Sequence, residues 1–203
     1  MNTLLKLDAK ALPRGMYWDA PISDAALEAL CAANDVIQFE RTKDGEIRMN
    51  PPTAGFTSNG NAEITAQLRN WWKNHRRGRV FDSNGGFFLP DGSMFSPDAA
   101  YVRLEKLKSL TKSDFEHFLY LCPDFVVELL SRSDRRQDAK TKMGLWIENG
   151  AALGWLIDPY KKEVWIYEAG KPARVVTESV VAGSGPAEGF VLDVAEVWGC
   201  YEL

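Results

Sequence analysis

The sequence predicts a mixed β-sheet with helices packed against it, an α/β or α+β architecture. Three observations predict it. Residues 125–130 form a continuous apolar run interrupted only by Glu128, the pattern of a strand buried on both faces. Ala139, Met143, Trp146 and Ile147 then recur at helical spacing, and a second apolar run, 153–157, follows. That strand–helix–strand order implies helices covering a sheet. Finally, Ile64, Leu68, Trp71, Trp72 and His75 mark one face of a long amphipathic helix from Asn61 to about Arg76.

The other elements follow in order. Ser23, ahead of Asp24, caps a short helix through Leu27, Leu30 and Cys31 that ends near Asn34. Residues 36–41 and 46–49 read as two strands about an Asp44-Gly45 turn. Residues 51–59 read as a polar loop, and the long helix carries Asn59, Glu63, Gln67 and Asn70 on its polar side. Short extended runs are expected at 79–82, 86–89 and 98–102, separated by Gly and Pro. Ser113 caps an expected helix over 113–119. The helix after the buried strand spans 134–149 and stops at Gly150. Strands at 153–157 and 163–167 flank a Pro159-Tyr160 turn, 175–181 is one more, and 190–198 closes the chain. With no repeat or low-complexity segment, the reading is one domain over 1–203, with a core of about 15–198.

Composition narrows the function. A chain of 203 residues, 45% hydrophobic and 26% charged, is long enough to bury a core without staples. Cys31, Cys122 and Cys200 are far apart and form no CxxC pair. That argues against a disulfide framework or cysteine zinc site and for a reducing cytoplasm. No apolar run is long enough for a membrane span, and residues 1–10 are too short of apolar residues for a leader. The net charge of −4 excludes a uniformly basic nucleic-acid coat protein. Contact with nucleic acid must then come from a local patch, and there are two. One is Lys73, His75, Arg76, Arg77 and Arg79; the other is Arg132, Arg135, Arg136, Lys140 and Lys142. Read alone, each is more simply a solvated helix face.

The candidate chemistry centres on Glu128. A carboxylate inside Phe125-Val-Val-Glu-Leu-Leu130 must be protonated, ion-paired or bound to a cation, because burying it bare is costly. Asp98 follows Ser96-Pro97, where proline stiffens the backbone that aims it. Lys142 lies at the edge of the buried face of the helix after Glu128. Such a lysine ordinarily snorkels to water, but beside carboxylates it stays charged and can steady reacting oxygens. Two carboxylates from neighbouring strands offer the hard oxygen ligands that Mg²⁺ prefers, with Mn²⁺ as a substitute. Glu63 is a possible third acid, although its spacing alone fits a plain surface glutamate. Two histidines without HExxH, no GxSxG and a Gly183–Gly189 stretch without Lys-Ser/Thr leave zinc, serine-hydrolase and nucleotide-loop chemistry unsupported.

Several stretches, in family order from roughly Gly15 to Trp198, are similar to the Uma-two family of restriction endonucleases, a branch of the PD-(D/E)XK superfamily. They are Ser58-Asn-Gly-Asn-Ala-Glu-Ile64, Phe81-Asp-Ser83, Gly86-Phe-Phe-Leu-Pro90 and Ser96-Pro-Asp98. Further along come Cys122-Pro-Asp-Phe-Val-Val-Glu128, Ser131-Arg-Ser-Asp134, Lys142-Met143 and Gly154-Trp-Leu-Ile-Asp-Pro159. The resemblance implies a restriction-endonuclease-like mixed central sheet flanked by helices, with additional N-terminal and C-terminal strands, a divalent metal and phosphodiester hydrolysis. It makes Asp98 the acid of the Pro-Asp motif, Glu128 the (D/E) acid, Lys142 the lysine on the following helix and Glu63 the acid of the first core helix. Leu130 stands where the superfamily has its strand lysine, Arg132 where a proline is common and Trp146 where a tyrosine is usual.

The resulting expectation is a Mg²⁺-dependent DNA endonuclease, acting as a homodimer. Asp98 and Glu128 would hold the metal, Lys142 would orient or deprotonate water or steady the transition state, and Glu63 would support a metal-bound water or second cation. Arg132, Arg135, Arg136 and Lys140 would contact backbone phosphates. The rival readings are a non-catalytic interaction protein that retains the fold, and a hydrolase for a small phosphoester.

Overall fold

The structure, a computed structural model, describes residues 15–16, 22–34 and 37–202. Val36, the first residue of one expected strand, and the 1–10 segment lie outside the described residues. Strands β1 (Gly15–Met16), β2 (Gln38–Arg41) and β3 (Ile47–Asn50) belong to the N-terminal sheet, and helix α1 (Asp24–Ala32) packs on it through Leu27. Ser23 caps α1 as expected, its hydroxyl accepting from the Ala26 amide at 3.2 Å. Next come helix α2 (Gly55–His75) and strands β4 (Gly78–Asp82), β5 (Phe87–Phe88), β6 (Met94–Phe95) and β7 (Ala99–Arg103). The one-turn helix α3 (Leu104–Leu107) leads toward β8 (Phe125–Leu129), α4 (Arg136–Glu148) and β9 (Leu153–Asp158). The chain finishes with β10 (Glu163–Glu168), β11 (Arg174–Val176), β12 (Val180–Ala182), β13 (Val191–Asp193) and α5 (Val194–Gly199).

The central sheet has the order β11-β10-β9-β8-β7-β4; only β8 and β9 run parallel, joined through α4. A five-stranded antiparallel sheet, β1-β3-β2-β6-β5, and a β12–β13 ribbon complete the β-structure described. Alternation along β8 divides the core. Phe125, Val127 and Leu129 join α2 and α5 residues such as Leu68 and Trp198 on one face, while Val126 and Leu130 join Met143 and Trp146 of α4 on the other. This is the mixed sheet the sequence predicts. No helix of the described residues is long and apolar enough to cross a membrane.

Three local expectations need correction. Helix α2 begins at Gly55, so most of the expected 51–59 loop is helical. Ser58, Asn59 and Gly60 are weak helix formers, but packing decides: a Cβ at Gly60 would lie 2.8 Å from Leu129, so glycine lets α2 settle on β8. The helix expected at 113–119 is only a 3₁₀ turn, Asp114–Glu116, without a Ser113 cap bond. Asp114 instead accepts from the amide and hydroxyl of Thr111 and closes a local turn. The single strand expected at 175–181 is split between β11 and β12, which pair in different sheets. In 190–198, Asp193 ends β13 and caps α5 through the amides of Ala195 and Glu196.

Candidate active site

Glu128 shares the strand parity of Val126 and Leu130, so it faces α4. On that helix Lys142 and Trp146 are four residues apart and therefore stacked on one side. Both reach the same oxygen: the Lys142 Nζ lies 2.9 Å from Glu128 Oε1, and the Trp146 indole donates to it at 2.8 Å. The ammonium also donates to Glu40 Oε1 at 2.8 Å and to the Ser96 carbonyl at 3.1 Å. Its three protons thus have three acceptors. Glu40 lies on β2, in the other sheet, and accepts from the Ser96 amide at 3.0 Å. One buried acid therefore clamps both the lysine and the start of the segment carrying Asp98.

Asp98 sits one residue before β7. The Ala99–Val127 register, continued by one residue, sets its backbone opposite Glu128. Its carboxylate accepts from the Asn61 side-chain amide and from the Leu129 backbone amide, each at 2.7 Å. Asn61 comes from α2, so the site collects residues from α2, β2, β8, α4 and the entry to β7.

Burial sets the electrostatics. It pushes the Glu128 carboxyl up to about 8; Lys142 pulls it back, while Asp98 and Glu40 push it further up. Asp98 is also raised, by burial first, against the lowering effects of the Leu129 amide, Lys142 and Asn61. Burial works against the charge on Lys142, but Glu128 and Glu40 outweigh it and hold the amine protonated. Two carboxyl groups thus contact one ammonium and a third, Asp98, lies within its electrostatic reach, so the cluster has three acids to one cation. Two oxygens remain open: Glu128 Oε2 accepts no hydrogen bond from a described residue, and the buried Asn61 Oδ1 has no partner. An orphaned amide oxygen on the side chain that donates to Asp98, together with carboxylates, is of the hard donor chemistry that suits Mg²⁺. Among the described residues, no three His, Cys, Asp or Glu side chains form a metal-holding group. Water and substrate oxygens would complete the coordination.

Asp98, Glu128 and Lys142 are therefore brought together, and Glu63 is not. Two positions beyond Asn61 on a helix lies a different face. Glu63 accepts from Gln67 at 2.8 Å, and Gln67 in turn bonds the Asp193 backbone. Glu63 is thus held by Gln67 on a different face of α2 from Asn61. Glu128 already receives one charge contact from Lys142 and one hydrogen bond from Trp146, both on the same oxygen. Of the expected phosphate contacts, Arg136 is tied to Asp158 and lies 3.7 Å from Glu163. Lys140 sits 3.3 Å above the Trp165 ring. Neither is available as a loose cation, whereas Arg132 and Arg135 are exposed and pair with no described acid.

Sequence reasoning missed Glu40 and Asn61. Glu40 left a faint signal as an acid within the run Ile37-Gln-Phe-Glu-Arg41, where Phe39, Glu40 and Arg41 all prove buried. Asn61 could have been found from its place three residues before the buried Ile64, on the helix edge rather than its polar side.

Comparison with known proteins agrees with this architecture. The family described as Uma2, "Putative restriction endonuclease", matches residues 24–195. A solved structure from Anabaena variabilis, described as a putative nuclease belonging to DUF820, superposes with a TM-score of 0.69 at 20% identity. The match covers 80% of this chain and 90% of that one, and at this identity it speaks for the fold. No curated protein matches. With its motif acids and helix lysine gathered at one site and the family match running through most of its length, the chain belongs to the Uma2 family.

Proposed function

We propose that the protein hydrolyses phosphodiester bonds of nucleic acid, with DNA as substrate, using Mg²⁺ or Mn²⁺ held by Asp98 and Glu128 beside the Asn61 amide oxygen. The observation that carries this reading is the charge deficit: Asp98, Glu128 and Glu40 around Lys142, with open oxygens left over. The bound ion would neutralise phosphoryl charge and acidify a water. Lys142, held protonated, is suited to steady negative charge developing on the phosphate and unsuited to act as a base. Glu40 and the Ser96 carbonyl fix the direction of that ammonium. Asn61 and the Leu129 amide fix the Asp98 carboxylate. Arg132 and Arg135 would meet phosphates of the bound strand. A homodimer would supply two such sites.

The test is supercoiled-plasmid cleavage in Mg²⁺ or Mn²⁺, together with calorimetric titration of the metal. Glu128→Ala should abolish both while leaving a folded protein by circular dichroism. Unchanged cleavage would remove Glu128 from the mechanism. A second reading has one observation in its favour: Lys142 bridging Glu40 and Glu128 is also a closed ion-pair network. Absence of metal binding by the wild type would favour a non-catalytic protein that retains the fold.

A further inference from the structure

The other basic patch acquires a direction in the folded chain. Asn61, Thr65, Arg69 and Trp72 follow one another at three- and four-residue steps, so they lie along one side of α2, and Arg76 caps the C-terminal end of that helix. The stripe begins at Asn61, hydrogen-bonded to Asp98, and runs about 22 Å to the helix end at Arg76. Two hollows lie on it. The first, about 440 Å³, is lined by Asn61, Thr65 and Arg69 of α2 with Asp82 and Ser83 opposite. The second, about 380 Å³, is lined by Trp72, Arg76, Arg79 and Phe115.

The cations on this path are unusually well held for exposed side chains. The Arg69 guanidinium lies 4.1 Å from the centre of the Trp72 ring, Arg76 lies 5.6 Å from it on the same residue, and Arg79 lies 5.2 Å from the Phe115 ring. Trp72 is itself anchored, its indole donating to the Gly78 carbonyl at 2.6 Å. Arg69, Arg76 and Arg79 are exposed and form no ion pair with a described acid. The one acid of α2, Glu63, is turned toward Gln67. The α4 patch differs, because its Arg136 is consumed by Asp158.

We infer that this side of α2 is a track for one unpaired strand of nucleic acid, leading from Asp98 to Arg79 and holding phosphates at Arg69, Arg76 and Arg79. The assignment rests on the proposed nuclease reading and adds the form of its substrate. Hollows of nucleotide size, arginines without acidic partners and adjoining aromatic rings are the features of a groove that follows a single strand. A path of this length holds about four nucleotides.

Binding of a fluorescein-labelled, mixed-sequence single-stranded DNA is measured by anisotropy on the full chain in EDTA, so that no turnover intervenes. Replacing Arg69, Arg76 and Arg79 together with Ala should weaken binding at low salt at least tenfold. It should also reduce the slope of log K against log salt by about 2. The triple lysine variant should keep most of the slope, which separates lost charge from lost folding. Removing Lys43, Lys161 and Lys171, exposed elsewhere, should leave the slope nearly unchanged. Wild-type affinity and slope in the triple alanine variant, or tighter binding of a matched duplex than of the single strand, would overturn the track. The two proposals fail separately. A chain that binds through these arginines but cleaves nothing keeps the track and loses the nuclease, and a nuclease indifferent to them does the reverse.

Discussion

Two acids stand four residues apart at opposite ends of one buried strand, and the protein treats them differently. Asp124, just before β8, is 1% exposed, but Arg103 reaches it through its backbone amide at 2.8 Å and its guanidinium at 2.9 Å, and the Lys106 amine lies 3.3 Å away. Two cations whose stems extend toward solvent serve one carboxylate. Glu128 has the opposite arrangement: one buried amine is divided between it and Glu40, with Asp98 nearby. An excess of cations marks a structural ion pair. A shortage is what the proposed metal ion would meet, and here it lies where the family motif residues gather.

The contrast is broken most strongly at the cations. Lys142→Ala leaves Glu40 and Glu128 buried without a counter-charge and should lower unfolding free energy by about 3–5 kcal/mol. The loss should be greater at pH 8 than at pH 5, where protonation relieves the repulsion. Arg103→Ala should cost about 1 kcal/mol, because that side chain is half exposed and Lys106 remains. Urea unfolding of both variants at the two pH values checks the comparison, and equal losses would refute it.

Proton linkage sharpens it next. The ordinary value for Glu128 is 4.5 and the folded one about 8, so between these the folded chain binds more protons than the unfolded chain. Its contribution to stability therefore falls as pH rises through that window. Glu128→Gln keeps an acceptor for Lys142 and Trp146 but cannot ionise, and should remove this part of the slope in thermal melts from pH 4.5 to 8. A slope equal to wild type would place the titration elsewhere. At the Glu128 site the smallest effect on stability expected is that of Trp146→Phe, which deletes the indole donor to Glu128. It should cost about 1–2 kcal/mol, more at high pH than at low pH, by denaturant titration.

What could be read in advance depended on how local the cause was. The burial of β8, the amphipathic α4 and the Ser23 cap are written in neighbouring residues, and so was the anomaly of Glu128. The geometry of Lys142 and Trp146 also follows from helical spacing once α4 is known to cover β8. Glu40 could not be placed in this way, because its role depends on a contact with Lys142 across 102 positions of chain. Helix α2 starts early because Gly60 fits against Leu129, again a tertiary cause. The basic residues of 132–140 looked equivalent in sequence, and only the folded chain separates Arg136, bound to Asp158, from the exposed Arg132 and Arg135.

The junction between Glu40 and Lys142 adds a charged link between the N-terminal sheet and α4, which already share an apolar core through Phe87, Phe95 and Trp146. Removing Glu40 would free the amine on one side and release the Ser96 amide two residues ahead of Asp98. The N-terminal layer therefore helps to fix the acid–lysine cluster although it supplies no strand to the central sheet.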